Sequence, residues 1–133
     1  MKIEDVEGIG EAQGAKLRAA GVATTDDLLA RGAKPSGRDS LASATGISGK
    51  LILEWVNHAD LMRIDGVGSE YSDLLEAAGV DSCTELATRV PANLAAKLQE
   101  INDNKSLVRV VPSEKVVAGW VEQAKTLPKI VTH

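Results

Sequence analysis

Two short Gly-x-Gly sequences are the residues of this chain best suited to do chemistry. They are Gly8-Ile9-Gly10, the first glycine turn, and Gly66-Val67-Gly68, the second glycine turn. Glycine permits tight turns and leaves the backbone uncovered, and a helix follows each sequence directly. The first amide N–H groups of a helix have no partner within it. Each turn is therefore suited to bind a phosphate or another anion through backbone N–H groups.

The side chains around the two turns differ in charge, which favours the first turn for phosphate binding. The first has Lys2, Lys16 and Arg18 nearby, together with Glu7 and Glu11. The second is surrounded by four acidic residues with only Arg63 in compensation: Asp65, Glu70, Asp73 and Glu76. The predicted nucleic-acid-binding residues are Gly8, Ile9, Gly10, Glu11, Lys16, Arg18, Lys34, Arg38 and Lys50. Gly66, Val67 and Gly68 are predicted to be structural. A purely structural role stays open for the first turn as well.

No other combination of residues indicates catalysis or a bound ion. The single cysteine, Cys83, excludes an internal disulfide and a thiol metal site. The sequence Asn102-Asp103-Asn104 lacks the glycine and the final glutamate of a calcium loop. The glycine spacing also differs from that of a dinucleotide-binding turn, and no strand precedes it. We expect no catalytic residue, no metal and no cofactor, and therefore no enzyme.

The elements that position the two turns repeat along the chain. An offset of 58 residues aligns the two turns, and it also aligns Ala19-Ala20-Gly21-Val22 with Ala77-Ala78-Gly79-Val80. An offset of 65 residues then aligns Trp55 with Trp120, so the second copy contains an insertion of about seven residues. We interpret the chain as a tandem duplication, with residues 1–60 as the first copy and 61–133 as the second, forming one compact unit.

The hydrophobic spacing and the capping residues predict helices almost throughout. Thr24 with Asp27 and Ser82 with Glu85 have the spacing of capping boxes. Polar residues 102–105 are predicted to form a loop, residues 107–111 an extended segment, and residues 129–133 a loosely held tail. Trp55 and Trp120 lie in apolar stripes, so each is expected to fill the core of its own copy or to meet the other at the seam.

Composition limits the class of partner and the location. The net charge is −4, with seven basic and nine acidic residues in positions 1–60 and eight and ten in positions 61–133. The absence of a basic region disfavours strong nucleic-acid binding. The charged start is not a signal peptide and no apolar run is long enough to span a membrane. We expect a cytoplasmic protein.

The two glycine turns with their flanking helices resemble the helix-hairpin-helix motif, and the whole chain resembles a bacterial family of small uncharacterised proteins with two such motifs. The resemblance implies an all-α fold, a tandem duplicated helix-hairpin-helix (SAM-like) helical domain with pseudo-twofold symmetry. It also implies weak, sequence-independent contact with a DNA backbone. The alternative is a protein–protein interaction or scaffold module in which both hairpins are structural. Duplex DNA and another protein are thus both candidate partners, and the oligomeric state stays open.

Overall fold

The computed structural model describes residues 1–133 and confirms the all-α prediction. A 3-10 helix at Ile3–Asp5 precedes eight α-helices, and there is no strand. The α-helices are α1 (Glu11–Ala19), α2 (Thr25–Gly32), α3 (Pro35–Thr45), α4 (Gly49–Leu61), α5 (Ser69–Ala77), α6 (Cys83–Leu86), α7 (Pro91–Lys105) and α8 (Glu114–Thr126). None of these helices is both long and apolar enough to cross a bilayer.

The chain divides into two compact units. The first unit contains Met1–Asp60 together with Ile130–His133, and the second contains Leu61–Lys129. The last four residues therefore belong structurally to the first unit, although the repeat assigns them to the second copy.

Capping residues begin several helices as the sequence predicts. The Thr24 hydroxyl accepts a hydrogen bond from the Asp27 amide, and the Asp27 carboxylate accepts one from the Thr24 amide. At α6 the Ser82 hydroxyl accepts from the Glu85 amide, but the predicted capping box is only half formed, because the Glu85 carboxylate accepts from Arg89 and not from the Ser82 amide. Such caps satisfy amide groups that a helix leaves without partners.

The polar residues 102–105 are not a loop, as predicted, but the last turn of α7. Asp103 accepts a hydrogen bond from Gln99 one turn earlier, and the helix ends only at Ser106, which has a left-handed φ of 51°. The Asn102 side chain then holds the following chain by bonding both the N–H and the C=O of Val108. Local side-chain bonding thus extends the helix beyond the point where its apolar pattern stops.

A buried arginine fixes the end of the chain, so the prediction of a loosely held tail is wrong. Arg38 is only 6% exposed and donates hydrogen bonds to the carbonyls of Gly32, Ala33 and Thr132. The Thr132 amide returns a 2.8 Å bond to Ala33, and Val131 is buried. A charged group is tolerated at this depth because carbonyl oxygens surround it.

Replacing Arg38 with alanine should destabilise the first unit. The substitution removes the donor of the Gly32 and Thr132 carbonyls and one of the donors of the Ala33 carbonyl, and we expect a loss of about 2 kcal/mol or more in the free energy of unfolding. Urea unfolding followed by Trp55 fluorescence in a Trp120→Phe background measures this loss for the first unit. Lys34→Ala, at the exposed start of α3, is the matched control and should change stability little. Equal stability of the Arg38 and Lys34 variants would contradict the assignment.

Candidate anion-binding turns

The two glycine turns have the same backbone conformation. The first glycine of each is left-handed, with φ of 91° at Gly8 and 92° at Gly66. The second glycine is extended, with φ and ψ of −84° and −176° at Gly10 and −94° and −165° at Gly68. A φ near 90° is strained for any residue with a side chain, so glycine is strongly favoured at positions 8 and 66. The extended conformation at positions 10 and 68 does not by itself require glycine.

An apolar residue anchors each turn between its two glycines. Ile9 and Val67 are both buried, and their amides donate to Val6 and Ile64 at 3.1 and 3.0 Å. Because the middle residue is buried, the glycines on either side of it are held at the surface.

Each turn leaves a set of amide donors open at the start of the next helix. The helical hydrogen bonds begin with the Gly14 amide donating to Gly10 and the Ser72 amide donating to Gly68. No side chain caps either helix. The amides of residues 10–13 and 68–71 therefore donate to no group in the chain, and no atom lies within 4 Å of the position that a Cβ on Gly10 or Gly68 would take.

The two tryptophans supply a further donor behind the turns. Trp55 and Trp120 are 1% and 3% exposed, each in the core of its own unit, which confirms the core prediction. A Cβ on Gly8 would lie 3.4 Å from Nε1 of Trp55, and one on Gly66 would lie 3.3 Å from Nε1 of Trp120. Neither indole nitrogen hydrogen-bonds within the chain. Sequence reasoning assigned these residues to packing alone, and nothing in their spacing reveals that their polar edge meets the turns.

The basic residues predicted beside the first turn have different surroundings. Lys16 is exposed and forms no ion pair, whereas Arg18 donates two hydrogen bonds, of 2.9 and 2.6 Å, to the Glu4 carboxylate. These bonds from Arg18 hold the pKa of Glu4 at about 2. Much of the charge of Arg18 is therefore matched locally, and Lys16 is the open cation on α1.

Of the other cations predicted to bind phosphate, two are exposed and one is engaged within the fold. Lys34 and Lys50 are exposed at the starts of α3 and α4. Arg38 is buried, with its guanidinium directed at backbone carbonyls. Arg38 therefore has a structural role in this fold, which is at odds with its prediction as a phosphate partner.

The second turn borders a cavity that sequence reasoning missed. Its volume is about 520 Å³. The walls come from the turn, from the start of α5 and from the insertion segment, Leu107–Val111; they are Gly66, Gly68, Ser69, Glu70, Tyr71, Val108, Arg109 and Val110. The insertion segment thus brings an arginine to a turn whose neighbours in sequence are mostly acidic. The change of repeat offset from 58 to 65 marked this insertion but not its position beside the turn.

The comparisons with known proteins identify the family. The model described as "Domain of unknown function (DUF4332)" matches residues 7–127, and the chain belongs to this family. This agrees with the resemblance to an uncharacterised family. The match includes both glycine turns and both tryptophans. No curated protein and no solved structure matches the chain.

Replacing each glycine of the first turn with alanine should change the stability of the protein by different amounts. Gly8→Ala places a side chain at a φ of 91° and beside the Trp55 indole, and we expect a loss of roughly 1–2 kcal/mol in the free energy of unfolding. Gly10→Ala enters open space at an ordinary φ and should change stability by less than about 0.5 kcal/mol. Urea denaturation of both variants measures the difference. Equal effects at the two positions would contradict the backbone assignment.

The ion pair between Glu4 and Arg18 should make stability fall at acidic pH. The pKa of Glu4 is lowered from 4.5 to about 2 in the fold, chiefly by its hydrogen bonds from Arg18. The stabilisation of the fold by this ion pair is therefore fully present above pH 4.5 and is lost as the pH falls towards 2. An NMR titration of the Glu4 carboxyl group measures the pKa directly. In Arg18→Gln the pKa should rise towards 4.5, and an unchanged titration curve would disprove the pairing.

Proposed function

We propose that this protein is a non-enzymatic helix-hairpin-helix module that contacts the backbone of duplex DNA through its first glycine turn, without sequence preference. The observation that carries the proposal is the open group of amides at residues 10–13, preceded by a left-handed glycine and uncovered by any side chain. Phosphate oxygens accept hydrogen bonds from such amides, and the positive end of the helix dipole favours the negative charge.

The contact proposed here is to phosphate and not to bases. The amides of Gly10 and Glu11 would donate to one phosphate, and Lys16 would supply a full positive charge from the same helix. Phosphate contacts fix a protein on the duplex but carry no sequence information. The absence of sequence preference follows from the use of backbone donors.

Charge limits the affinity of this interaction. Lys16, Lys34 and Lys50 are the exposed lysines among the predicted residues, and they are opposed by Glu7 and Glu11, which are also exposed. Each phosphate that a cation neutralises adds about −0.9 to the slope of log affinity against log salt concentration. With one to three such contacts, binding should be weak and should still fall as salt rises.

Fluorescence anisotropy with a short labelled duplex tests the proposal. Binding should be measurable at low salt, should weaken at physiological salt, and should fall about tenfold or more in Lys16→Glu and in Gly10→Val. Valine at position 10 would cover the open amides while leaving the helix in place, because nothing lies within 4 Å of its Cβ. Circular dichroism confirms that each variant is folded.

Gly68→Val is the matched control for Gly10→Val. It makes the same change at the corresponding position of the second turn, and it should leave duplex binding unchanged. If wild-type protein does not bind at low salt, or if Gly10→Val binds as wild type does, the first turn is not a DNA contact.

A protein–protein interaction module is the second candidate, favoured by exposed apolar side chains in the second unit. Val110 in the insertion segment is 70% exposed, and Val116 on α8 is 45% exposed. Exposed apolar residues that act together can form an association surface. Light scattering should then show an oligomer that Val110→Asp converts to monomer, and a wild-type monomer at all concentrations would remove the support for self-association.

A further inference from the structure

We infer that the cavity beside the second glycine turn binds a small phosphate monoester, with its phosphate on the turn and its organic group against the insertion segment. This site differs from the proposed duplex contact, which uses the first turn. It also gives a binding role to glycines that the sequence predicts to be structural. Four features of the cavity carry the inference: its open amides, an unpartnered indole N–H, a fixed arginine and an apolar wall.

The first feature is the group of open amides at the start of α5. Gly68, Ser69 and Glu70 line the cavity, and their N–H groups donate to no atom of the chain. The helix is nine residues long and has no side-chain cap. These donors match the oxygens of a phosphate group.

The second feature is the indole of Trp120, which points its N–H at the turn. The side chain is 97% buried, since only 3% of it is exposed, yet its nitrogen has no hydrogen-bond partner. A Cβ on Gly66 would lie 3.3 Å from this nitrogen, and Gly66 is itself part of the cavity wall. Trp120 does not itself line the cavity, but the missing side chain at position 66 leaves its indole N–H uncovered next to the wall that Gly66 forms. The indole nitrogen forms no hydrogen bond within the chain and is not itself fully buried, so a ligand oxygen would accept a hydrogen bond from it in place of water.

The third feature is Arg109, which lies between two residues that the fold holds in place. Val108 is bonded through both its N–H and its C=O to the Asn102 side chain, at 2.9 and 3.1 Å. The Val110 carbonyl accepts a 2.8 Å bond from the Tyr71 hydroxyl. Arg109 itself is exposed and forms no ion pair in the chain. Its backbone is fixed before any ligand arrives, which lowers the entropy lost on binding.

The fourth feature is the apolar wall, which selects an ester over free phosphate. Val108, Val110 and the ring of Tyr71 line the cavity beside the polar groups. A volume of about 520 Å³ lies within the range of pockets for small organic ligands, about 300–1,000 Å³. A bare phosphate would leave this wall without contacts.

The carboxylate of Glu70 repels a bound phosphate and so limits the negative charge that a ligand of this cavity can carry. Glu70 lines the same cavity as Arg109, and Asp65, which is exposed, and Asp73, which is half-buried, lie nearby in sequence. One arginine and neutral donors suit a single phosphate group, whereas a polyphosphate would meet repulsion from these carboxylates. Removing the charge of Glu70 should therefore strengthen binding.

The two indole N–H signals provide the test, because each glycine turn has one tryptophan behind it. Nitrogen-15-labelled full-length protein is titrated with phenyl phosphate, and the amide and indole signals are followed by NMR. We expect the Trp120 indole and the Ser69 and Glu70 amides to shift with saturation, while the Trp55 indole stays in place. Inorganic phosphate should bind at least fivefold more weakly, and phenol should not shift these signals.

Variants separate this site from adventitious anion binding. Arg109→Gln should weaken phenyl phosphate about tenfold, and Glu70→Gln should strengthen it severalfold. Lys97→Gln, an exposed cation on α7, is the matched control and should have no effect. Unmoved Trp120 and Ser69 signals at millimolar phenyl phosphate would overturn the inference, as would full binding by Arg109→Gln. Equal affinity for inorganic phosphate would overturn the assignment to an ester. The outcome of this test is independent of the duplex-binding proposal, because duplex binding is measured through the residues of the first turn and the Trp55 indole signal.

Discussion

The contact between a left-handed glycine and the edge of a buried tryptophan underlies both units of this protein. At Gly8 and at Gly66 the backbone takes a φ near 90° directly against an indole nitrogen, where a side chain would be both strained and crowded. The buried residue that follows, Ile9 or Val67, holds the turn against the core. The next helix therefore begins at the surface with its amides open. The candidate chemistry of both units depends on this one local arrangement.

The surroundings of the two turns differ although their backbones agree. Beside the first, Arg18 is bound to Glu4, so the turn stays open and Lys16 is the free cation on α1. Beside the second, the insertion segment forms one wall of an open cavity and adds Arg109. A turn on an exposed surface suits an extended partner such as a duplex, whereas a turn that borders a cavity suits a small ligand. The same backbone donors can thus serve two classes of partner within one chain.

Local signals in the sequence predicted much of the fold and little of the site. The capping box at Thr24, the cap at Ser82 and the burial of Trp55 and Trp120 are correct because each depends on short-range spacing. The end of α7 was misplaced because polar residues can extend a helix when their side chains bond to its own backbone, as Asn104 does to the Glu100 carbonyl, and to the next segment, as Asn102 does. Arg38 was predicted as a surface cation because residue type alone does not report the distant carbonyl of Thr132 that receives its hydrogen bond.

The all-α class, the positions of the two glycine turns and the apolar stripes around both tryptophans could be read from the sequence, since these follow from backbone preference and helical periodicity. The availability of the charged side chains depends on the tertiary structure. The fold buried Arg38, paired Arg18 with Glu4 and placed Arg109 beside a turn that lies some forty residues earlier in the chain. The physical reason is that charge availability depends on which groups meet across long separations, and no short-range pattern in the sequence encodes those meetings.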